Sequence, residues 1–324
     1  ALRSCSQHIQ PILMTTPSTI AFMFPGQGSQ AVGMGKTLAE HFPEARSVFE
    51  QADEALGMHL SRLCFEGPED ELSLTANTQP AILACSIAAL RVLEAHTPHR
   101  PFVALGHSLG EFSALVAVGA LAFADAIRLV RLRGQAMQDA VPAGVGAMAA
   151  VLGLEAEQVE ALCREVSSES ERVSPANLNG GKQVVVAGHA GAVERLCELA
   201  HERESARTIP LKVSAPFHCD LMQPAADRLA EALSAVTIHE LAAPVITNVE
   251  AESNTVRDRV AALLVAQVTS KVRWEESVRM TVRMGATQAI EVGHGKVLKG
   301  LVKRIAKELP VHACGEPSDL AALS

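Results

Sequence analysis

Residues 102 to 112, Phe-Val-Ala-Leu-Gly-His-Ser-Leu-Gly-Glu-Phe, decide the fold of this chain. Phe102 to Leu105 is a short apolar run of the kind that forms a buried strand. The pentapeptide Gly106-His-Ser-Leu-Gly110 follows at once and leads straight into a helical run, so it predicts a sharp strand-to-helix turn. A buried strand, a sharp turn and a helix in succession indicate an α/β protein with a parallel sheet.

The segments before this turn repeat the same pattern. Ile20 to Phe24 is a second short apolar run, and it stops at the loop Pro25-Gly-Gln-Gly-Ser-Gln30. A long helix is predicted from about Gly35 to Leu56, and a mostly apolar helix from Pro80 to Leu93. Strands that alternate with helices support the prediction of a parallel sheet.

From Ala147 onwards the pattern changes to a smaller α/β unit. Asn179-Gly-Gly181 is a strong hairpin signal between two of its strands. The order β-α-β-β-α-β is the ferredoxin-like arrangement, and we expect this unit to be inserted into the larger domain. Its predicted strands and helices are, in order, Ala147 to Leu152, Glu155 to Val166, Arg172 to Leu178, Gln183 to Ala187, Ala192 to Glu204 and Ala206 to Leu211.

After the inserted unit the pattern of the large domain resumes, with a helix predicted over Asp220 to Leu233 and a strand over Pro244 to Thr247. The predicted boundaries are therefore 14–143 and 212–312 for the large domain and 144–211 for the small one. Residues 313–324 are expected to form a C-terminal tail. Residues 1–13 are interpreted as an expression scar, a mistaken start before Met14 or the remnant of a targeting segment.

The composition of the chain excludes several classes of protein. Of its 324 residues 48% are apolar and 20% are charged, which excludes a disordered chain. The net charge of −8 and the scarcity of aromatic residues argue against nucleic-acid binding. The seven cysteines form no CxxC pair, which indicates reduced thiols in a cytosolic protein and neither a disulfide framework nor a metal site. No apolar stretch is long enough to cross a membrane.

The pentapeptide around Ser108 also fits the motif G-x-S-x-G. On a tight strand-to-helix turn the Ser108 hydroxyl would project into a cleft as a nucleophile, and the Leu109 N–H would help to bind an oxyanion. The alternative interpretation is a glycine-rich turn that matches the motif by chance. The position of the motif between a predicted strand and a predicted helix favours the nucleophile.

A serine nucleophile needs a base, and His218 is the candidate among the twelve histidines. It lies in the loop Ser214-Ala-Pro-Phe-His-Cys219, where the chain re-enters the large domain, and such loops often carry catalytic groups. An ordinary loop histidine is the alternative. His107 adjoins Ser108, but successive residues on a turn point apart, so His107 is expected to support the acyl pocket.

Two further residues have both a functional and an ordinary interpretation. The loop around Gln27 lacks the spacing of a phosphate or dinucleotide cradle, so it either presents an N–H to the oxyanion or simply joins a strand to a helix. Arg133 lies on a helix with two other arginines and is either solvated or buried in the cleft. A buried arginine there would imply an anionic substrate, because the guanidinium matches a carboxylate.

Taken together, these motifs resemble the malonyl-CoA:acyl carrier protein transacylases, a family that also supplies the acyltransferase domains of polyketide and fatty-acid synthases. The resemblance runs from about Ile20 to Leu309. The motifs that carry it are Phe24-Pro-Gly-Gln-Gly-Ser-Gln30, Gly106-His-Ser-Leu-Gly-Glu-Phe112, Arg131-Leu-Arg-Gly134, the Pro-Phe-His-Cys stretch that ends at Cys219, and Glu291-Val-Gly-His-Gly-Lys-Val-Leu298.

The resemblance implies a role for each matching residue, within an α/β-hydrolase-like large domain. Ser108 becomes the acyl-accepting nucleophile and His218 its base. The amides of Gln27 and Leu109 form the oxyanion hole. Gln267 matches the family glutamine whose backbone carbonyl orients the histidine, so the resemblance implies a dyad that has no triad acid.

Three other residues concern the acyl group. The resemblance makes Arg133 the partner of the malonyl carboxylate, with His107 and Phe217 in the same substrate pocket. In modular synthases a phenylalanine just before the histidine accompanies malonyl selection. His294 departs from the family pattern, which usually has proline in that Gly-x-Gly turn, and a softer local turn is expected.

The resemblance implies transfer of malonyl from coenzyme A to the phosphopantetheine thiol of holo-acyl carrier protein, in fatty-acid synthesis. A malonyl-serine ester carries the group, and no metal or bound cofactor is needed. We expect a cytoplasmic monomer whose partners are malonyl-CoA and the carrier, with no nucleic acid and no membrane. The alternatives are a serine hydrolase or thioesterase of the α/β-hydrolase type and a trans-acting acyltransferase dedicated to polyketide synthesis.

Overall fold

The computed structural model describes residues 19–213 and 215–323. Two sheets organise this part of the chain, and their strands are numbered along the sequence. These are β1 (Ile20–Phe24), β2 (Val103–Gly106), β3 (Gly146–Leu152), β4 (Val173–Leu178), β5 (Gln183–His189), β6 (Arg207–Pro210), β7 (Val245–Ile246), β8 (Ser253–Asn254), β9 (Gln288–Val292) and β10 (Val311–Cys314).

The helices of the described residues are numbered in the same way. Two short 3₁₀ helices, Asp220–Met222 and Arg257–Arg259, accompany them. The α-helices are α1 (Lys36–His41), α2 (Pro43–Leu56), α3 (Leu60–Glu66), α4 (Glu69–Leu72), α5 (Thr75–His96), α6 (Gly110–Ala117), α7 (Phe123–Asp139), α8 (Ala156–Val166), α9 (Ala190–Glu204), α10 (Gln223–Ser234), α11 (Val260–Thr269), α12 (Trp274–Arg283), α13 (Val297–Ile305) and α14 (Pro317–Leu320).

The large sheet confirms the predicted α/β fold. Its strand order is β10-β9-β1-β2-β7-β8, and every pairing is parallel except the edge pair β7–β8. All five residues of β1 are buried, because helices cover both faces of the sheet. Phe22 and Phe24 pack into the core on one face, and Ala21 and Met23 into the core on the other. The continuous apolar run in the sequence reflects this two-sided burial.

The small sheet has the order β4-β5-β3-β6, with antiparallel pairings throughout. With α8 and α9 it forms the predicted ferredoxin-like unit, which has a separate apolar core. The Asn179-Gly-Gly181 segment joins β4 to β5 as the hairpin signal predicted. Val272 connects the two domains, because its backbone exchanges hydrogen bonds with Ala176 and Leu178.

The predicted helix from Gly35 to Leu56 was wrong as a single element. It divides at Phe42, which has an extended backbone with φ −124° and ψ 121°. Pro43 causes the break, since the residue before a proline is pushed out of the α region. Pro43 itself occupies the first turn of α2, where its missing N–H costs nothing.

The helix predicted to start at Pro80 begins earlier, at Thr75, so that Pro80 lies inside α5. A proline within a helix leaves the carbonyl of the residue four positions before it without its N–H partner. Here that carbonyl belongs to Ala76, and Arg131 of α7 donates to it from Nη1 at 2.7 Å. A tertiary contact therefore replaces the missing helical hydrogen bond.

Two other predictions need correction at element ends. The helix predicted from Asp220 begins as a 3₁₀ turn and becomes α10 only at Gln223, and the strand over Pro244 to Thr247 is reduced to β7. The boundary predicted for the C-terminal tail, at residue 313, lies too early, because β10 continues to Cys314 and pairs with β9. The predicted N-terminal extension, 1–13, lies outside the described residues. No helix that the structure describes is both long and apolar enough for a membrane span.

The start of α6 approaches β1 so closely that residue 110 must be glycine. A Cβ on Gly110 would lie 2.1 Å from the carbonyl oxygen of Phe24. We expect Gly110→Ala to lower the free energy of unfolding by about 1–3 kcal/mol, because the backbone has to move apart. Urea unfolding of the purified variant measures this loss.

Gly300→Ala is the matched control, because Gly300 lies inside α13 and a Cβ there meets nothing within 4 Å. Alanine in an open helix interior should raise the free energy of unfolding by roughly 0.5–1 kcal/mol. Equal stability of the two variants would contradict the close approach between α6 and β1.

Candidate active site

Ser108 lies on the turn between β2 and α6 with a backbone φ of 50°. A non-glycine residue in this left-handed region stores strain, which surrounding contacts must balance. Asn248 supplies two of these contacts. Its Oδ1 accepts from the Ser108 N–H at 2.6 Å, and its Nδ2 donates to the carbonyl of Gly106 at 2.7 Å. The predicted sharp turn is therefore held from the loop that follows β7.

The Ser108 hydroxyl and His218 form a hydrogen bond, with 2.7 Å between Oγ and Nε2. The other ring nitrogen, Nδ1, lies 2.9 Å from the backbone carbonyl oxygen of Gln267. A carbonyl can only accept, so Nδ1 carries the proton and Nε2 is left free to accept from the serine. His218 also has a left-handed backbone, with φ 61°. The two strained residues thus face each other.

Burial lowers the pKa of His218 to about 3, and the positive charge of Arg133 lowers it further in the same direction. The Gln267 carbonyl acts against this shift, because it accepts from the ring. A pKa this far below 7 keeps the resting imidazole neutral at neutral pH. Neutral Nε2 is the state that can take a proton from Ser108.

Arg133 is buried, with only 1% of its surface exposed, so it does not lie on a solvated helix face. Its Nη1 donates to Gln79 Oε1 at 2.8 Å, and its Nη2 donates to Gln267 Oε1 at 2.9 Å and to Ser108 Oγ at 3.1 Å. Its Nε is buried and has no hydrogen-bond acceptor among the described residues. Burial lowers the pKa of Arg133 to about 10, which leaves it a cation at neutral pH.

Two backbone amides complete the surroundings of the serine. Among the described residues, no group accepts a hydrogen bond from the N–H of Gln27 or of Leu109. Both residues line the same cavity as Ser108. Free amide donors beside a nucleophile are the arrangement that stabilises an oxyanion.

This cavity has a volume of about 110 Å³. The structure brings seven of the eight predicted site residues into its lining, and the eighth, Gln267, lies behind it. The seven are Gln27, His107, Ser108, Leu109, Arg133, Phe217 and His218. Residues nearly two hundred positions apart in the sequence therefore line this one small cavity, called the chamber below.

His107 and Phe217 shape the chamber without contacting the serine hydroxyl. The His107 Nε2 lies 2.9 Å from Asn179 Oδ1 in the small domain, and its ring lies 5.5 Å from that of Trp274. Burial lowers the pKa of His107, so the ring is neutral at neutral pH. Phe217 is buried, and its N–H donates to the Met148 sulfur at 3.3 Å.

Three polar residues of the site were not predicted from the sequence: Gln79, Asn248 and Glu111. Gln79 and Asn248 had no local signal, because their roles depend on contacts with distant parts of the chain. Glu111 did have one. It is the only Asp, Glu, Lys or Arg between Arg100 and Asp125, so a charge in the middle of an apolar stretch could have been noticed.

Two wider grooves lie outside the chamber. One, of about 540 Å³, includes His218 in its lining together with Ser174 of the small domain and Lys271 of the large domain. It lies at the junction of the two domains and shares His218 with the chamber. The other, of about 750 Å³, is lined by the small domain and by Cys219 to Leu221, and it does not include Ser108.

A hydroxyl hydrogen-bonded to a neutral histidine, beside two free amides on a strand-to-helix turn of a parallel sheet, defines a serine-dependent acyl-transfer class of protein. Comparison with known families specifies this further. The chain belongs to the acyl transferase domain family, whose model matches residues 21–315. It is an acyltransferase, and the resemblance found in the sequence is confirmed.

Individual relatives agree with this assignment. The chain is 49% identical over 303 residues to a malonyl CoA-acyl carrier protein transacylase of Bacillus subtilis, covering 94% of this chain and 95% of that protein. It resembles the crystal structure of an acyl carrier protein S-malonyltransferase from Vibrio cholerae with a TM-score of 0.92 and 46% identity, covering 95% of this chain and 100% of that one. A malonyl-transacylase in complex with a type II polyketide acyl-carrier protein matches with a TM-score of 0.90 and 43% identity. The match covers 94% of this chain and 98% of that one.

The low pKa of His218 predicts a pH-dependent loss of stability. As the pH falls below about 6.5, the unfolded chain takes up a proton at this histidine that the native protein, with a pKa of about 3, does not. Between about pH 7.5 and pH 5 this should cost the wild type about 2 kcal/mol. His218→Asn should therefore lose about 2 kcal/mol less than the wild type over the same interval.

Urea unfolding at the two pH values measures both losses. His239→Asn is the control, because His239 is exposed and should follow the wild-type curve. If His218→Asn lost as much stability as the wild type, the histidine would not be held neutral in the native state.

Proposed function

We propose that this protein transfers a malonyl group from malonyl-CoA to the phosphopantetheine thiol of acyl carrier protein, through a malonyl ester of Ser108. The observation that carries the proposal is the position of Arg133, a buried cation whose Nη2 lies 3.1 Å from the Ser108 hydroxyl. A cation at this point suits an acyl group that carries its own carboxylate. The names of the relatives support the same substrate and acceptor.

In the first half of the reaction, His218 Nε2 removes the proton from Ser108 as Oγ attacks the thioester carbonyl. The carbonyl oxygen gains the negative charge, and the amides of Gln27 and Leu109 donate to it. When the tetrahedral intermediate breaks down, the C–S bond cleaves and the thiolate of coenzyme A takes the proton back from His218. The malonyl group is left as an ester on Ser108.

The second half runs the same steps with a different thiol. The phosphopantetheine thiol of the carrier gives its proton to His218 and attacks the ester carbonyl. The bond to Ser108 then breaks, and His218 returns the proton to Oγ. Both halves exchange one acyl bond for another of similar kind, so the protein's own groups suffice and neither half requires a metal ion or a redox cofactor.

Arg133 would hold the malonyl carboxylate during both steps. Among the described residues its Nε has no acceptor, and its Nη1 donates one of its two N–H groups to Gln79, so the guanidinium has donors to offer an incoming carboxylate. A charge-assisted pair formed away from water is among the stronger polar contacts in proteins. It would fix the thioester carbonyl next to Oγ.

The size of the chamber favours a transferase over the hydrolase alternative. At about 110 Å³ it is much smaller than the two grooves outside it, at about 540 and 750 Å³. A malonyl group bound in it would displace water from beside the ester carbonyl, which disfavours hydrolysis. Since His218 lines both this chamber and the groove outside it, we propose that groove as the path of the carrier's thiol arm.

Carriers of fatty-acid and polyketide synthesis bear the same phosphopantetheine thiol, so this chemistry serves either pathway. We propose fatty-acid chain extension as the use of the product, in line with the freestanding relatives of similar length. We also propose a cytoplasmic location. The six cysteines among the described residues are all free, which suits a reducing compartment.

Loss of the nucleophile gives the most direct test of the ester intermediate. Intact-mass spectrometry after brief mixing with malonyl-CoA should show one malonyl adduct on the wild type and none on Ser108→Ala. His218→Ala should form the adduct roughly 10²- to 10⁴-fold more slowly, the usual contribution of a positioned base. A persistent adduct on Ser108→Ala would place the nucleophile elsewhere. Rapid hydrolysis of the malonyl ester on the wild type would favour the hydrolase.

The role of Arg133 is tested by the ratio of kcat/KM for malonyl-CoA to that for acetyl-CoA. Arg133→Ala should lower this ratio roughly 10- to 100-fold, because acetyl lacks the carboxylate that the guanidinium pairs. Arg133→Lys should restore little, since a point charge does not reproduce the two-pronged contact. Arg128→Ala, an exposed change on the same helix, is the control and should leave the ratio unchanged. An unchanged ratio in Arg133→Ala would remove this residue from acyl selection.

A further inference from the structure

Glu111 is a buried carboxylate that none of the reaction steps above uses. It lies in the first turn of α6, and 2% of its surface is exposed. One of its oxygens, Oε2, accepts two hydrogen bonds, from Gln267 Nε2 at 2.7 Å and from the Asn248 N–H at 3.0 Å. Each of these partners contacts a different part of the catalytic site.

The first partner, Gln267, connects Glu111 to Arg133. A carboxylate only accepts, so it holds the amide nitrogen of Gln267 on its own side, where that nitrogen also donates to the Ser108 carbonyl at 3.1 Å. The amide oxygen must then face the other way, and it accepts from Arg133 Nη2 at 2.9 Å. A flipped amide would present N–H groups to the guanidinium, which itself only donates.

The second partner, Asn248, connects Glu111 to the strained turn. Since the Asn248 N–H is fixed on Glu111, its side chain is placed to accept from the Ser108 N–H and to donate to the Gly106 carbonyl. These contacts bridge the two sides of the turn on which the serine lies. One carboxylate oxygen thus supports both the nucleophile and the arginine.

The charges around Glu111 agree with this role. Burial raises the pKa of Glu111 to about 7, against the hydrogen bonds from Gln267 and Asn248 and the positive charge of Arg133 on α7, which lower it. Conversely, Glu111 raises the pKa of Arg133. The two nearby histidines, His107 and His218, have lowered pKa values and stay neutral. In its ionised form, Glu111 is therefore the counter-charge of the buried guanidinium.

We propose that Glu111 is a positioning residue that sets the preference for carboxylate-bearing acyl groups, by holding Arg133 through Gln267 and the Ser108 turn through Asn248. This inference rests on the proposed malonyl transfer. It adds to that function a residue that touches neither the acyl group nor the reacting atoms.

The test compares kcat/KM for loading of malonyl-CoA and of acetyl-CoA on the full chain. A simple folding defect lowers the active fraction and reduces both values by the same factor, whereas a misplaced Arg133 changes their ratio. Glu111→Met removes both carboxylate oxygens, including the Oε2 that accepts from Gln267 and Asn248, and should lower the malonyl-to-acetyl ratio about tenfold or more. Glu111→Gln can keep an oxygen at the position of Oε2 and should hold the ratio within about threefold of the wild type.

Leu115→Ala is the matched control for disruption of the same helix. Leu115 is buried in α6 but belongs to the apolar core, so its truncation should destabilise the protein and leave the ratio unchanged. Glu111→Asp provides a milder second variant, because it keeps the charge and withdraws the oxygens by one methylene. We expect it to lower the ratio about threefold or more.

A tenfold loss in Glu111→Met with near-normal selectivity in Glu111→Gln supports the proposal. An unchanged ratio in Glu111→Met overturns it, and so does an equal loss in Glu111→Gln, whose acceptor atom survives. If Glu111→Met does not fold, Glu111→Asp takes its place. A malonyl-to-acetyl ratio lowered about threefold or more then supports the proposal, and an unchanged ratio overturns it. A wild type that loads malonyl no faster than acetyl would instead refute the proposed function and is recognised before any variant is compared.

Discussion

The side chain and backbone of Gln267 together form the contact on which the rest of the site depends. The backbone carbonyl fixes the tautomer of His218, and the side-chain amide lies between Arg133, the Ser108 carbonyl and Glu111. Gln267, Arg133 and Glu111 are buried, and a buried donor or acceptor that lacks a hydrogen-bond partner costs free energy. One fully paired amide therefore lets a cation and a carboxylate share the interior of the domain.

Burial also determines the protonation states that the chemistry needs. Removing the imidazole from water and placing it near Arg133 makes its neutral form the stable one, so that Nε2 of His218 can accept a proton before any substrate arrives. The same burial disfavours the charged form of the Arg133 guanidinium, and the polar groups around it, among them Gln79 and Glu111, act against that effect. An orienting carbonyl, rather than a carboxylate, is sufficient at His218 because the ring remains uncharged at rest.

Local sequence was a good guide to the elements that define the site and a poor guide to what supports them. The turn around Ser108 was predictable because glycines and a short apolar run act over a few residues. The break at Phe42 was missed although Pro43 carried the signal, and the true start of α5 depends on Arg131 of another helix. Asn248 was not predictable, since its importance arises only when β7 pairs beside β2.

The sequence by itself determined the parallel sheet, the inserted ferredoxin-like unit and the choice of Ser108 as the candidate nucleophile, because these follow from local periodicity, turn chemistry and family motifs. Only the tertiary structure decided that Arg133 is buried, that Gln267 faces it and that Glu111 supports both branches of the network. The physical reason is that burial and hydrogen-bond pairing are properties of surroundings assembled from distant segments. A residue's type states what it is able to bind, while the fold decides which partner it meets.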